Sequence, residues 1–229
     1  MEKLIGIILM GGSSERFGGP KNKLLCSLDG KSVFTYSLDV FSKSELFERI
    51  IVIANENIIV EVNEYISKNS IKAEIYKGGQ TRQESVEIAL NKISDAGKLV
   101  LIHDAARPLI DEEIIKKMVE AVSDPKVDAA TTYIPVVDTI ASFSEGFINN
   151  FLDRKSLVQI QTPQIFKIEP LKKAHSLAKN LEATDDCSLL LSNGYNVKLV
   201  EGSKKLHKVT TVDDIRYLEG FCKLWRITK

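Results

Sequence analysis

The chain has 229 residues, of which 44% are apolar and 27% are charged, a composition typical of a folded globular protein rather than a disordered or fibrous one. Its 31 Lys and Arg residues balance 31 Asp and Glu residues, so the surface has no net field that would attract nucleic acid or an anionic membrane. We therefore expect a single domain over residues 1–229 with a full core, and any basic site must be local.

Cysteine usage and the N-terminus indicate a cytoplasmic protein. The three cysteines, Cys26, Cys187 and Cys222, are widely spaced and form no C-x-x-C pair, which is typical of reduced thiols rather than of a disulfide framework. The apolar run near the N-terminus is too short to span a membrane and is followed by no signal-peptide cleavage region.

Apolar runs of strand length alternate with amphipathic segments up to residue 135. The first run, Leu4–Met10, is apolar throughout, as expected of a strand buried on both faces. Later strands are predicted at residues 49–54, 72–76, 98–103 and 127–135. Helices, indicated by apolar residues at three-to-four spacing, are predicted at residues 33–41, 57–67, 83–93 and 112–122. This alternation predicts a mainly parallel sheet with right-handed crossovers.

The pattern changes at about residue 136. Short segments with turn residues and no helical period fill residues 136–157, which we interpret as a β-rich excursion from the core. Helices are predicted again at residues 169–178, 185–191 and 212–224, with a strand at 196–200. The predicted fold class is α/β, with a Rossmann-like, mainly parallel sheet and helices on both faces.

A Gly- and Ser-rich loop follows the first predicted strand and reads G-G-S-S-E-R-F-G-G-P-K-N-K. At the carboxyl end of a central strand, such a loop lets backbone N–H groups approach phosphates, and Arg16, Lys21 and Lys23 add positive charge there. The alternative is a surface loop with solvated basic residues. The P-loop and G-x-G-x-x-G patterns are both absent, which disfavours kinase, GTPase and dehydrogenase functions.

Two more polar segments follow predicted strands. In the first, K-G-G-Q-T-R, two glycines would bring the backbone near a ligand, and Arg82 and Ser85 would lie in the first turn of the following helix. The alternative is a tight turn with an exposed arginine. H-D-A-A-R-P places Asp104 where it could hold a metal or a ribose hydroxyl, or pair with Arg107. We interpret His103 as a strand-end residue, since the three histidines lack a metal-ligand spacing.

The sequence contains no recognisable nucleophile. There is no G-x-S-x-G elbow, and no cysteine has a neighbouring histidine. The chemistry is therefore expected to come from substrate groups that are already reactive, with cations stabilising the charge that develops.

Taken together, the motifs resemble the 2-C-methyl-D-erythritol 4-phosphate cytidylyltransferases of the non-mevalonate isoprenoid pathway, within the sugar-nucleotidyltransferase superfamily. The resemblance covers nearly the whole chain. It rests on the order of L-M-G-G-S-S-E-R-F, G-G-Q-T-R-Q-E-S-V, H-D-A-A-R-P, V-V-D-T, D-R-K, Q-T-P-Q-I-F, T-D-D-C-S and H-K-V-T-T-V-D-D. H-D-A-A-R-P and T-P-Q-I-F in this order are specific to the family, whereas the first loop is general to the superfamily.

The resemblance implies a reaction and an assembly. CMP would pass from CTP to a sugar-alcohol phosphate with release of pyrophosphate, and Mg²⁺ would bind with CTP. The excursion at residues 136–157 would be a protruding β-arm that embraces a second subunit in a homodimer. The implied partners are thus CTP and a polyol phosphate, with no nucleic acid and no membrane.

The resemblance also implies site residues. Arg16 and Lys23 would stabilise charge on the phosphates, with Lys23 favoured over Lys21 because it lies seven residues after Arg16 and seven before Gly30. Arg154 and Lys208 would position the acceptor phosphate. Nucleotide contacts are expected at Met10, Gly11, Gly12, Ser13, Ser14, Gly79, Arg82, Ser85, Asp104, Ala105 and Ala106. Acceptor contacts are expected at Asp104, Arg107, Thr139, Arg154, Thr162, Thr184, Asp185 and Lys208. Asp104 is also the candidate metal ligand.

The expected mechanism is in-line attack by an acceptor phosphate oxygen on the α-phosphorus of CTP. A phosphate monoester has a second pKa of about 6 and is largely dianionic at neutral pH, so it needs no general base. Three alternatives stay open at this point: a ribitol 5-phosphate cytidylyltransferase, another nucleotidyltransferase such as one resembling the molybdopterin guanylyltransferases, and a nucleotide sensor without turnover.

Overall fold

The computed structural model describes residues 3–11, 17, 22–94, 97–178, 183 and 185–227. The strands are β1 (Leu4–Met10), β2 (Ser27–Leu28), β3 (Lys31–Ser32), β4 (Phe47–Ala54), β5 (Glu74–Lys77), β6 (Leu99–Asp104), β7 (Ala129–Pro135), β8 (Ile140–Ser144), β9 (Phe147–Leu152), β10 (Val158–Lys167) and β11 (Val197–Glu201). The helices are α1 (Val33–Lys43), α2 (Ile59–Lys68), α3 (Arg82–Leu90), α4 (Glu112–Val122), α5 (Ile168–Leu177), α6 (Asp186–Ser192) and α7 (Val212–Ile227).

A seven-stranded sheet forms the centre of the fold, in the order β11-β7-β10-β6-β1-β4-β5. Neighbouring strands are parallel except β10, which runs antiparallel to both β6 and β7. β1 and β6 are buried at every position, which explains the apolar run of β1 and the apolar residues 99–102 of β6. The expected α/β fold class is confirmed.

Helices cover both faces of the sheet. On one face, Leu38 of α1 and Leu218 of α7 belong to a core that also includes α2 and α4. On the other face, Val86 of α3 and Leu171 of α5 pack in a second core with α6. Among the described residues, no helix is both long and apolar enough to cross a bilayer.

Most predicted elements lie within a few residues of the observed ones, but the sequence analysis missed β10. This strand reads V-Q-I-Q-T-P-Q-I-F-K. Apolar and polar residues alternate only over its first four positions, and the internal proline and the polar residues around it interrupt the pattern. Gln161, Thr162 and Gln164 are nevertheless buried. Their polar side chains have partners inside the fold: Gln161 donates to the Ser203 carbonyl, Thr162 accepts from the Asp104 N–H, and Gln164 donates to Thr131 and Asp185.

Residues 136–157 contain a β-hairpin separate from the main sheet. β8 and β9 pair antiparallel, and the turn between them has positive φ at both Glu145 (51°) and Gly146 (86°), as two-residue hairpin turns require. Its apolar side chains face solvent: Phe143 and Phe147 are 75% and 77% exposed. Large apolar side chains that are exposed together in this way are typical of an interaction surface.

Candidate active site

The described site residues lie along one edge of the main sheet. β1, β4, β5 and β6 all end there, and the antiparallel β10 brings Thr162 to the same place. Backbone hydrogen bonds join the strand ends: the Ala105 N–H donates to the Leu9 carbonyl (3.0 Å) and the Val209 N–H donates to the Ala106 carbonyl (2.7 Å). Ligands of open α/β sheets bind at this edge.

Two glycine-containing loops meet at Ser85. Met10 is buried at the end of β1, and a Cβ on the following Gly11 would lie 4.0 Å from the Ser85 hydroxyl. That hydroxyl accepts a hydrogen bond from the Gly79 N–H (3.1 Å) and donates to the Thr81 carbonyl (2.9 Å). Ser85 therefore fixes the second loop beside the start of the first.

The second loop is closed by a capping box at the start of α3. The Thr81 hydroxyl accepts from the Glu84 N–H (3.0 Å), while the Glu84 carboxylate accepts from the Gln80 N–H (2.6 Å) and reaches the Thr81 N–H. A Cβ at Gly79 would lie 2.4 Å from the Glu84 Cβ. The capped geometry therefore leaves no room for a side chain at position 79.

Asp104 joins cations from two parts of the chain. Its Oδ2 lies 2.7 Å from the Lys208 Nζ, and its Oδ1 lies 3.5 Å from the Arg82 Nε. Burial alone would raise the pKa of this carboxyl, but the charges of Lys208, Arg82 and Arg107 outweigh burial and hold the pKa well below its usual range. Asp104 is therefore ionised at neutral pH.

Asp104 does not fit the role of a metal ligand. Both carboxylate oxygens face a cationic side chain, and a divalent ion placed there would be repelled by Arg82 and Lys208. Within the part of the chain that the structure describes, no group of three or more His, Cys, Asp or Glu side chains is arranged to hold a metal. The assignment of Asp104 as a metal ligand thus has no support in its contacts.

A neutral histidine supports Thr162 and Arg107 at this edge. Burial lowers the pKa of His103 to about 4, so the ring is uncharged at neutral pH. Its Nε2 lies 2.9 Å from the Arg107 carbonyl and must carry the proton, which leaves Nδ1 to accept from the Thr162 hydroxyl at 3.3 Å. The same hydroxyl accepts from the Asp104 N–H (3.0 Å), and the Arg107 guanidinium donates to the Leu206 carbonyl (2.7 Å).

Comparison with known proteins connects this chain to one family. The family described as IspD, 2-C-methyl-D-erythritol 4-phosphate cytidylyltransferase, matches residues 4–223. The enzyme of that name from Halalkalibacterium halodurans is 36% identical over 218 residues, covering 93% of this chain and 94% of the relative. The one from Thermosipho africanus is 36% identical over 222 residues, covering 94% and 96%.

This chain belongs to the 2-C-methyl-D-erythritol 4-phosphate cytidylyltransferase family. Solved structures agree with this assignment. The 4-diphosphocytidyl-2C-methyl-D-erythritol synthase of Anaerococcus prevotii superposes with a TM-score of 0.83 at 25% identity, covering 97% of this chain and 99% of that one. The bifunctional IspDF of Campylobacter jejuni has a TM-score of 0.79 at 31% identity, covering 95% of this chain and 54% of that one. The chain is thus a nucleotidyltransferase, and the function expected from the motifs is confirmed.

The contacts of Asp185 are structural in this member of the family. Its Oδ1 accepts from the Cys187 N–H at 2.8 Å, which caps α6, and its Oδ2 accepts from the Gln164 Nε2 at 2.6 Å. The predicted contact between Asp185 and the acceptor stays a prediction.

Sequence reasoning missed Asp186, which follows Asp185 in the T-D-D-C-S motif. The Asp186 Oδ2 lies 2.6 Å from the Arg82 Nη1, and its Oδ1 lies 3.0 Å from the Nε2 of the buried His175. The burial of His175 could have been predicted from its position on the apolar stripe of α5, with Leu171 and Ala174. Which of two adjacent aspartates faces inward depends on where α6 begins, and the motif alone does not fix this.

The remaining described residues lie at or beyond the margin of this edge. Thr139 and Arg154 flank the hairpin and are exposed, and the Arg154 Nη1 donates to the Val137 carbonyl (2.6 Å). Among the described residues, no hydrogen bond or ion pair connects Thr139 or Arg154 to Asp104. Lys23 is half-buried and begins a short 3-10 helix, Lys23–Leu25.

Several predicted site residues lie outside the described residues, and their roles stay predictions. These are Gly12, Ser13, Ser14, Arg16, Lys21 and Thr184.

Proposed function

We propose that this chain transfers CMP from CTP to 2-C-methyl-D-erythritol 4-phosphate at the sheet edge centred on Asp104. The observation that carries this proposal is the pairing of Asp104 with Arg82, beside the glycine loops, and with Lys208, near the end of the chain. One buried carboxylate thereby connects a nucleotide half and an acceptor half of the site. The product would be 4-diphosphocytidyl-2-C-methyl-D-erythritol, with pyrophosphate as the leaving group.

The nucleotide half consists of the loop that begins at Gly11 and of the second loop, at Gly79, which Ser85 holds by hydrogen bonds. Met10 and the loop from Gly11 to Ser14, with Gly79 and Arg82, surround the cytidine and the triphosphate, and the turn from Asp104 to Ala106 completes this half. Arg16 and Lys23 stabilise the negative charge that builds on the α-phosphate and on pyrophosphate. Removal of one such preorganised donor costs about 10²- to 10³-fold in rate.

The acceptor half uses the other cations. The Lys208 ammonium, fixed by Asp104 at 2.7 Å, holds the acceptor phosphate dianion in line with the α-phosphorus. The polyol is bound by Arg107, Thr162, Asp185 and Thr184. Thr139 and Arg154, which flank the hairpin, contribute further contacts to the acceptor. Because the nucleophile is already a dianion, positioning and charge neutralisation replace a general base.

Magnesium enters with CTP in this proposal. The ion is carried on the triphosphate oxygens, where it offsets charge that the protein alone would have to neutralise. In this proposal the ion takes no ligand from Asp104, because both oxygens of that carboxylate face cationic side chains.

The hairpin is proposed to form a homodimer. Phe143, Phe147, Ile148 and Phe151 are each between 63% and 77% exposed, and burying them against a second copy removes an apolar surface from water. We place the dimer in the cytoplasm, where CTP is available and where the three cysteines, none of which forms a disulfide in the structure, stay reduced.

Steady-state kinetics of paired lysine variants test the proposed roles. Lys208→Ala is expected to raise KM for the acceptor and to lower kcat, whereas Lys204→Ala, which removes an exposed lysine nearby, keeps wild-type values. Lys23→Ala is expected to lose about 10²-fold or more in kcat. Wild-type kinetics in Lys208→Ala would contradict the acceptor role, and a large loss in Lys21→Ala with none in Lys23→Ala would reverse the loop assignment.

A further inference from the structure

We propose that Asp186 and His175 are positioning residues that limit Arg82 to its single 3.5 Å contact with the Asp104 Oδ1 and thereby keep the Asp104 Oδ2 available to Lys208. Neither residue is at the sheet edge where the substrates bind, and both act through Arg82. The inference rests on the proposed function of that edge and adds a device that sets its geometry.

Arg82 lies between two buried carboxylates at unequal distances. Its Nη1 is 2.6 Å from the Asp186 Oδ2, whereas its Nε is 3.5 Å from the Asp104 Oδ1. The Asp186 and Asp104 side chains are only 1% and 10% exposed, so both charges act in a medium of low dielectric. The shorter contact decides where the guanidinium lies, and that contact is to Asp186.

His175 in turn fixes the Asp186 carboxylate. Its Nε2–H donates to the Asp186 Oδ1 at 3.0 Å, and the imidazole is only 3% exposed. Because the Asp186 Oδ1 accepts from His175 of α5, the Asp186 Oδ2 is the oxygen that faces Arg82 of α3. Burial would raise the pKa of Asp186, but the Arg82 charge and the His175 hydrogen bond bring it below its usual value, so Asp186 presents a full negative charge to Arg82.

The contact network shows what loss of Asp186 would do. Arg82 would keep one buried carboxylate as a partner, Asp104, and its Nη2, which has no hydrogen-bond partner among the described residues, would be free to approach it. A guanidinium that binds a carboxylate with two parallel N–H groups would compete with the single Lys208 contact at 2.7 Å. The Lys208 ammonium would then be displaced from its position.

The displacement predicts a specific kinetic defect. Lys208 positions the acceptor, so Asp186→Asn is expected to lower kcat/KM for the acceptor by about tenfold to 100-fold, since misplacing a positioned group by about 1 Å costs up to about 10²-fold. Asp186→Glu keeps the charge and is expected to restore most of the activity. Asp213→Asn, which removes an aspartate that is 87% exposed, serves as the matched control with wild-type values.

A variant pair at His175 provides the same test without removing a buried charge. His175→Gln keeps an N–H donor that can reach Asp186, and it is expected to stay within about twofold of wild type. His175→Leu removes the donor and is expected to show the defect of Asp186→Asn in weaker form. This pair also covers the case in which Asp186→Asn fails to fold.

A double variant separates positioning from a general structural role. If Asp186 acts through Arg82, then Asp186→Asn adds little to the loss already caused by Arg82→Gln, because the two residues form one unit. Circular dichroism and thermal melting confirm that each variant is folded before kinetics. Additive losses in the double variant, equal losses in His175→Gln and His175→Leu, or wild-type kinetics in folded Asp186→Asn would each overturn the proposal.

The wild-type enzyme distinguishes this inference from the proposed function. Its turnover with CTP and 2-C-methyl-D-erythritol 4-phosphate tests the function, whereas the ratio of variant to wild-type kcat/KM tests the positioning. If another polyol phosphate proved to be the acceptor, the same ratios measured with it would still decide the role of Asp186.

Discussion

The neutral state of His103 predicts a measurable dependence of stability on pH. The ring is fully buried, and burial lowers its pKa from 6.5 to about 4. A group whose pKa is lower in the folded state contributes stability above its unfolded pKa, and that stability is lost as the pH falls through the folded value. The perturbation is His103→Gln, which keeps a donor toward the Arg107 carbonyl but does not titrate.

The magnitude follows from the two pKa values of His103. They differ by roughly 2.5 pH units, and each unit is worth about 1.4 kcal/mol. The full loss of unfolding free energy is therefore about 3 kcal/mol once the pH is below 4. Between pH 7.5 and pH 5, a single group with these values loses about 2 kcal/mol.

Urea unfolding at a series of pH values between 7.5 and 5 provides the assay. We expect the free energy of unfolding of the wild type to fall by about 2 kcal/mol more than that of His103→Gln over this interval. An unchanged pH slope in His103→Gln would refute a neutral, buried His103.

Three further predictions concern other parts of the molecule. Gly79→Ala is expected to lose about 1–3 kcal/mol in urea unfolding and to raise KM for CTP, because its Cβ would meet Glu84 at 2.4 Å; a stable variant with wild-type KM would contradict this. In the native protein a thiol reagent should label Cys26 rapidly and spare the other two cysteines, which are buried, and peptide mapping checks this. Phe147→Ser should shift the dimer to monomer in analytical ultracentrifugation. Val60→Ser, which changes an apolar side chain that is 62% exposed but lies outside the hairpin, should leave the dimer unchanged.

Periodicity predicted the elements of this fold well where burial alone determines the residues. β1 and β6 are buried on both faces and read as apolar runs, and α4 was predicted with its observed bounds, Glu112–Val122. β10 was missed because Gln161 and Gln164 occupy buried positions that a structural strand would fill with apolar residues. These two side chains are satisfied by hydrogen bonds to Ser203, Thr131 and Asp185, and partners of this kind are not visible in the pattern of one strand.

The site was predictable only as far as the motifs extend. Gly79, Ser85, Asp104 and Lys208 come together at one edge because parallel strands end there, and their motifs marked them in advance. The link from His175 through Asp186 to Arg82 joins the consecutive helices α5 and α6 to α3, which lies 104 residues before Asp186 in the sequence. Contacts of this kind depend on helix packing, and a single sequence carries no local signal for them.

The central claim is tested most directly by the products that the purified protein forms from CTP with a panel of polyol phosphates. With 2-C-methyl-D-erythritol 4-phosphate, mass spectrometry is expected to detect 4-diphosphocytidyl-2-C-methyl-D-erythritol together with an equal amount of pyrophosphate. Ribitol 5-phosphate and the other three nucleoside triphosphates should give little turnover. Turnover with ribitol 5-phosphate alone, or CTP binding without any product, would contradict the account.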